Sequence, residues 1–352
     1  MNGGRRLTRS AVAVVTAAFG VAAALGAQPV AAKPSTTPVK LIFDTDFGGD
    51  VDDAGVAGML NAMQDNGEVE VLAMMASNPT RHAAPGLDAI NTYYGHGNIP
   101  IGSLKPVYDH VPSPPTPGAV ITSNNVSGYA ELLGRGWKNN IGDSSRVPDA
   151  VDLYRKILAK QDDASVTIVA VGGQINLGGL LASGPDQHSP LTGAELVSHK
   201  VNKLVVMGAR FPSGREWNIM LDPTAAATVA KDWPTPIVYS GFEIGDTILT
   251  GSRLFTETHP NNPVLNAYED YVGWGNNRSS WDLTAAYVAV RGTDELFKLS
   301  EPGQVKITAD GSNTFQADPS GTRHYLLTAA PDETIAKAIE DLMVQAPVKG
   351  WH

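Results

Sequence analysis

Cysteine is absent from all 352 residues, which removes disulfides, thiolate metal ligands and a cysteine nucleophile from consideration in one step. Basic residues are scarce: 26 Lys and Arg stand against 36 Asp and Glu, a net charge of −10. That balance argues against a nucleic-acid partner, whose phosphates call for a basic surface. Long apolar runs are also missing, with one exception. Ala11 to Leu25 is apolar, rich in Ala and Gly, preceded by Arg5, Arg6 and Arg9, and followed by Val30-Ala31-Ala32. These are the parts of an export signal with a small-residue cleavage site, and the run is too short for a membrane anchor. The expectation is a signal over residues 1–32 cleaved near Ala32, a linker over 33–38, and a secreted or extracytoplasmic mature chain with no stable membrane anchor. Cleavage would take three of the 26 basic residues and none of the 36 acidic ones, leaving a net charge of −13. Without disulfides the mature chain must stand on its core, and a domain of about 300 residues buries roughly three quarters of its unfolded surface.

What is present is an alternation. Short β-rich apolar runs, Val39 to Phe43, Val69 to Ala76, Val166 to Val171, Lys203 to Met207 and Pro236 to Tyr239, are separated by helical-period segments. In Ala150 to Ala159, for example, Val151, Tyr154, Ile157 and Leu158 share one face, and Ile335, Ile339, Leu342 and Met343 form a stripe after Pro331-Asp332. That pattern predicts an α/β fold, a mostly parallel Rossmann-like open sheet with helices on both faces. Gln304 to Ile307 and His324 to Leu327 read as a late hairpin, and the Pro-rich stretch Val107 to Ala119 as a long surface loop. No repeat or second linker divides residues 39–352, so one domain is expected. In such sheets ligands bind beyond the carboxyl ends of the strands. The segments that follow the first four runs, Asp44 to Asp53, Ser77-Asn78-Pro79, Gly172 to Asn176 and Gly208 to Asn218, should therefore share one site.

The first of these segments, Asp44-Thr45-Asp46-Phe47-Gly48-Gly49-Asp50-Val51-Asp52-Asp53, gathers five carboxylates, and its glycines let the chain curl. Such a group suits a hard cation such as Ca²⁺, which takes six to eight oxygen ligands, and a neighbouring carboxylate can then deprotonate a water. Three other readings stay open on the cluster alone. One is a structural calcium loop, although the glutamate at the twelfth position of an EF-hand is lacking. Another is the aspartyl-phosphate nucleophile of haloacid-dehalogenase-like phosphatases, and the third is a solvated acidic turn.

Asp44-x-Asp46-x-Gly48 followed by Asp52-Asp53-Ala54 resembles the N-terminal motif of the inosine–uridine nucleoside hydrolases, with two extra residues before the final Asp-Asp. Asn78, Gly172-Gly173-Gln174-Ile175-Asn176, Glu216-Trp217-Asn218, Asp222-Pro223 and Trp281-Asp282 resemble that family's later motifs in order and spacing. The resemblance implies hydrolysis of the N-glycosidic bond of a nucleoside substrate to ribose and free base, with Ca²⁺ as cofactor and a homodimer or homotetramer. It assigns Ca²⁺ to the carboxylates of Asp46, Asp53 and Asp282 and the backbone carbonyl of Ile175, and makes Asp46 the general base toward the attacking water. Asp52, Asn78 and Asn218 would grip ribose hydroxyls and Glu216 the 5′-hydroxyl. Asp44 and Asp50 would be supporting residues, Asn176 would cap the following helix, and Glu243 would be either solvated or within reach of the site.

The departures are informative. Many members place a histidine before the late aspartate as the acid for the leaving base; here it is Trp281, which can stack on a purine but not donate a useful proton. Members with Trp-Asp resemble the purine-specific type. The leaving-group acid is left unassigned, with His82 and Arg210 as candidates that no motif supports. The stretch from Gly208 to Arg215 lacks the family's first 5′-hydroxyl asparagine. Alternatives are hydrolysis of another N-riboside, such as a pyrimidine nucleoside or nicotinamide riboside, and a calcium-dependent ribose-binding protein without turnover.

Overall fold

The computed structural model describes residues 1–3, 37–108 and 128–348. The expected export signal, most of the linker and nearly all of the Val107 to Ala119 loop lie outside these residues. Thirteen strands are described: β1 (Val39–Thr45), β2 (Val69–Ala76), β3 (Ile101–Ser103), β4 (Val166–Ala170), β5 (Val201–Met207), β6 (Ser213–Arg215), β7 (Ile237–Ser240), β8 (Leu249–Thr250), β9 (Arg278–Ser279), β10 (Phe297–Leu299), β11 (Gly303–Ile307), β12 (Ser312–Ala317) and β13 (Arg323–Thr328). Eleven of them build one sheet in the order β3-β2-β1-β4-β5-β7-β13-β11-β12-β6, with β10 on β13, while β8 and β9 pair separately. From β3 to β13 every neighbouring pair is parallel. The remaining pairs are antiparallel. The sheet is therefore mostly parallel, as its near-continuous apolar runs require when both faces are buried.

Side-chain alternation divides the core in two. In β1, Leu41 and Phe43 join one cluster and Ile42 the other; in β5, Val205 and Met207 oppose Leu204 and Val206. One cluster is closed by the helices Asp52–Asp65, Ala83–Tyr93, Trp281–Arg291 and Asp332–Met343, the other by Ala150–Leu158, Ile175–Ala182, Gly193–Lys200 and Pro223–Asp232. Strand β2 breaks the period once. Val69 and Val71 serve the first cluster, and so do Met74 and Ala76, because Leu72 is an extra residue where the β1–β2 register shifts. A bulge of this kind switches the face served by every later side chain. No helix among the described residues is long and apolar enough to cross a membrane.

The late hairpin forms in a different place from the one expected. β11 pairs antiparallel with β12, which occupies the stretch read as a turn, and the connection tightens at Gly311 with φ 79°. β13 instead runs parallel to β7 and meets β11 at a single pair, Gly303 with Arg323. The polar composition of Ser312-Asn313-Thr314 hid a strand whose role is to pair with the short β6 at the sheet edge.

Strand order reverses between β1 and β4: from β1 the chain moves outward through β2 and β3, and from β4 it moves the other way through β5 and β7. The crevice at such a reversal is where an open α/β sheet receives ligands. The two segments leaving it are the acidic run after β1 and Gly172 to Asn176 after β4.

Candidate active site

The acidic run leaves β1 at Asp44 and Thr45, crosses a six-residue loop and enters a helix at Asp52. Gly48 turns it with φ 103°, a conformation that side chains with a Cβ rarely adopt. The Tyr129 hydroxyl accepts from the Gly48 amide at 2.7 Å and donates to the Asp50 carbonyl at 2.6 Å, pinning both sides of the turn. Asp52 and Asp53 then form the first turn of the helix Asp52–Asp65. Trp281 and Asp282 open the helix Trp281–Arg291, and the Asp282 amide donates to Asp52 Oδ2 at 3.0 Å. Two helix N-termini thus meet at these carboxylates, and their positive ends offset part of the repulsion.

Carboxylate oxygens of Asp52, Asp53 and Asp282 all lie within 4.8 Å of one another, and all three residues are buried. The Thr45 hydroxyl donates to Asp53 Oδ1, while Asp53 Oδ2 is buried with no partner. An orphaned carboxylate oxygen inside a fold is costly unless a cation answers it. Oxygens on a shell of about 2.3–2.6 Å radius cannot be more than about 5 Å apart, so this all-oxygen group fits a hard cation such as Ca²⁺. Burial, reinforced by neighbouring carboxylates, pushes Asp52, Asp53 and Asp282 well above the usual carboxylate range. Burial likewise moves Asp46 up to about 7.

Around this floor lies a cleft of about 420 Å³, lined by Asp46, Gly49, Asp50, Asp52, Asp53 and Asp282 together with Glu216, Trp217, Asn218 and the wall of Phe242, Tyr271, Arg278 and Trp281. Gly172 makes the floor possible, since a Cβ there would stand 2.6 Å from the Asp46 amide nitrogen. Glu216 accepts from the amides of Ala209, Asn218 and Ile219 at 2.8–3.2 Å, fixing the start of the helix Trp217–Leu221. Burial raises its pKa to about 7. Asn218 donates to the Val171 and Met207 carbonyls at 2.7 and 3.3 Å, which leaves its own carbonyl oxygen for the cleft. Asn78 donates to the Asp46 carbonyl at 3.3 Å, and its Oδ1 is buried without a partner.

Asp46, Asp52, Asp53, Glu216, Asn218, Trp281 and Asp282 thus face one cleft, with Asn78 bonded to the backbone of its floor. Ile175, first residue of the helix Ile175–Ala182, is not among the lining residues, and the trio within 4.8 Å contains Asp52 rather than Asp46. Asp44 is turned away. It accepts from the Tyr154 hydroxyl at 2.8 Å and from Asn176 at 3.2 Å, and burial lifts it to about 7. Asn176 therefore does not cap its helix: it sits inside the first turn with its amide spent on Asp44, and Gln174 holds the cap position without a side-chain bond. Asp50 lines the cleft and pairs with Arg278. Glu243 accepts from the Phe211 amide at 3.1 Å, Arg210 lies 4.2 Å over the Phe242 ring, and neither these two nor His82 lines the cleft.

The wall was largely missed from sequence. Trp217 and Phe242 adjoin motifs and could have been drawn from them by position. Tyr271 and Arg278 stand in a stretch without one, and only the approach of the chain to Trp281 brings them in.

Comparison with known proteins agrees with this geometry. The family model described as inosine-uridine preferring nucleoside hydrolase matches residues 41–336. The pyrimidine-specific ribonucleoside hydrolase RihA of Citrobacter koseri is 29% identical over 215 residues, 58% of this chain and 60% of that protein. The chain thus spans about 60% of the length of that relative. Among solved structures, the inosine-uridine preferring nucleoside hydrolase from Bacillus anthracis shares the fold with TM-score 0.61 at 17% identity, covering 87% of this chain and 99% of that one. An inosine-guanosine nucleoside hydrolase does so with TM-score 0.62 at 18% identity, covering 86% and 98%. With its motifs gathered at the strand ends and the family model spanning nearly all of the sheet, the chain belongs to the inosine-uridine preferring nucleoside hydrolases.

Proposed function

We propose that this protein is an exported, calcium-dependent hydrolase of purine ribonucleosides, releasing ribose and the free base. The observation that carries the reading is the buried trio Asp52, Asp53 and Asp282, with one orphaned oxygen, beneath a cleft with an aromatic wall. When bound there, Ca²⁺ would polarise a water and orient ribose hydroxyls. Asp46, Asp53 and Asp282 are the side chains proposed to hold it, with the Ile175 carbonyl. Asp46 takes the proton of the attacking water as its oxygen bonds to C1′, and the electron pair of the C1′–N bond leaves with the base. Asp52, Asn78 and Asn218 hold the ribose hydroxyls and Glu216 the 5′-hydroxyl, so that binding energy from the sugar orients the scissile bond.

The aromatic residues Trp217, Phe242, Tyr271 and Trp281 supply flat surface for a two-ring base, which favours purines. A second reading, pyrimidine ribonucleosides, has the naming of the RihA relative in its favour. Incubating the calcium-loaded mature protein with inosine, guanosine, adenosine, uridine and cytidine and measuring free base separates them. Faster release from the purines is expected; a reversed ranking selects the pyrimidine reading. No base released from any of the five by folded protein overturns the hydrolase reading. Export is tested by the N-terminus of the protein recovered outside the cytoplasm, expected near Lys33.

A further inference from the structure

Among the described residues, Arg278 is the one basic side chain lining the cleft, and it is held on several sides. Its Nε lies 3.0 and 3.1 Å from the Asp50 carboxylate oxygens and its Nη2 2.5 Å from Oδ2, a two-pronged fork. The guanidinium carbon stands 4.9 Å over the Trp281 ring and 5.7 Å over that of Tyr271. Asp50 is itself held, because its carbonyl accepts from Tyr129 and its carboxylate from the Val51 amide at 2.7 Å. The fork uses Nε and Nη2. Nη1 has no hydrogen-bond partner among the described residues, the side chain is one third exposed, and the residue lines the cleft. A guanidinium clamped on one edge and backed by aromatic rings offers its remaining edge in a fixed direction.

We infer that Arg278 contacts the leaving base, with Nη1 donating to a ring nitrogen or carbonyl oxygen on which negative charge builds as the glycosidic bond breaks. This rests on the hydrolase reading above. The electron pair of the C1′–N bond passes to the base, Arg278 keeps its proton, and the base is reprotonated from water after cleavage. The cation lowers the energy of the departing anion without acting as an acid, in a site where Trp281 cannot supply a proton and where His82 and Arg210 do not line the cleft. It also covers a face of Trp281, so the base meets the guanidinium as well as the indole. Donors preset toward developing charge are typically worth about 10²–10³ in rate.

The test compares inosine, whose base is a poor leaving group, with 4-nitrophenyl β-D-ribofuranoside, whose phenolate needs no assistance. Arg278→Ala is expected to lower kcat/KM for inosine about 10²-fold and for the nitrophenyl riboside less than about tenfold, with calcium-dependent melting retained. Arg278→Lys keeps the charge but loses the fork and should fall between, and Asp50→Asn should repeat part of the inosine loss by freeing the guanidinium. Equal losses on both substrates, or no loss on inosine, overturn the inference while leaving the hydrolase reading intact. Wild-type protein inactive on both substrates overturns the hydrolase reading and this inference with it.

Discussion

Among the described residues, two groups of acidic and histidine side chains are packed tightly enough to share a cation: Asp52, Asp53 and Asp282 at the strand ends, and Asp152, Asp186 and His188 where the helix Ala150–Leu158 meets a loop. Spacing alone does not separate them. The surface group is already answered from within the protein. Asp186 is bonded by the Nε of buried Arg155 at 2.6 Å and by two backbone amides, which holds its carboxyl well below the usual range, and His188 pairs with Asp152 at 3.0 Å. The strand-end group has helix N-termini and a threonine but no cation of its own within the trio, and one oxygen has no partner at all. What marks a site is unanswered charge held in place by rigid backbone, and not the density of carboxylates.

Breaking the cleft that the buried group floors should have the largest effect. Asp46→Asn is expected to lower kcat/KM for inosine by at least about 10²-fold, whereas Asp152→Asn leaves kcat/KM unchanged; steady-state kinetics on the folded variants checks both. Removing the cation comes next. At a hundredfold excess over Kd, calcium stabilises by about 2.7 kcal/mol, several degrees in a protein of this size. Chelation should therefore lower the melting temperature of the wild type and leave that of Asp53→Ala unmoved.

The third prediction concerns pH. Because burial raises Asp46 to about 7, the calcium-free folded state holds protons that the unfolded chain releases near pH 4, so its stability falls as pH rises from about 4 to 7. The calcium-induced rise in melting temperature should therefore be larger at about pH 7.5 than at about pH 5. An unchanged gap, measured by thermal scans at both pH values, would remove the claim that these carboxylates are unpaired without the ion. The smallest effect belongs to the surface group. Asp186→Asn weakens the hold on Arg155 and should cost about 1–3 kcal/mol, with calcium response and kcat/KM unaltered.

The same contrast explains how far the sequence could be read. The five apolar runs became strands within two residues because each is a buried β segment bounded by turn residues. Asp44, Asp50 and Asp53 were harder, being one residue type in one segment with three fates: bonded to Tyr154, forked with Arg278, or left with a bare oxygen. Their partners come from 110, 228 and 8 residues away, and no local pattern encodes the first two. Asn176 looked like a cap because its residue type prefers caps, but a buried carboxylate one strand over competes for its amide and wins. The hairpin error has the opposite origin: a polar strand one place in from the sheet edge lacks the apolar signature that makes central strands legible.

The bond between the Asp282 amide and Asp52 joins positions 230 residues apart. Nucleus and closure of the pocket therefore come from opposite ends of the domain, and the cation position does not exist until both have docked. A chain cut before Arg278 would keep the residues of β1 to β7 but lack the third carboxylate and the wall residues Arg278 and Trp281. If the proposed calcium site is right, loss of the segment from Arg278 onward should abolish calcium affinity.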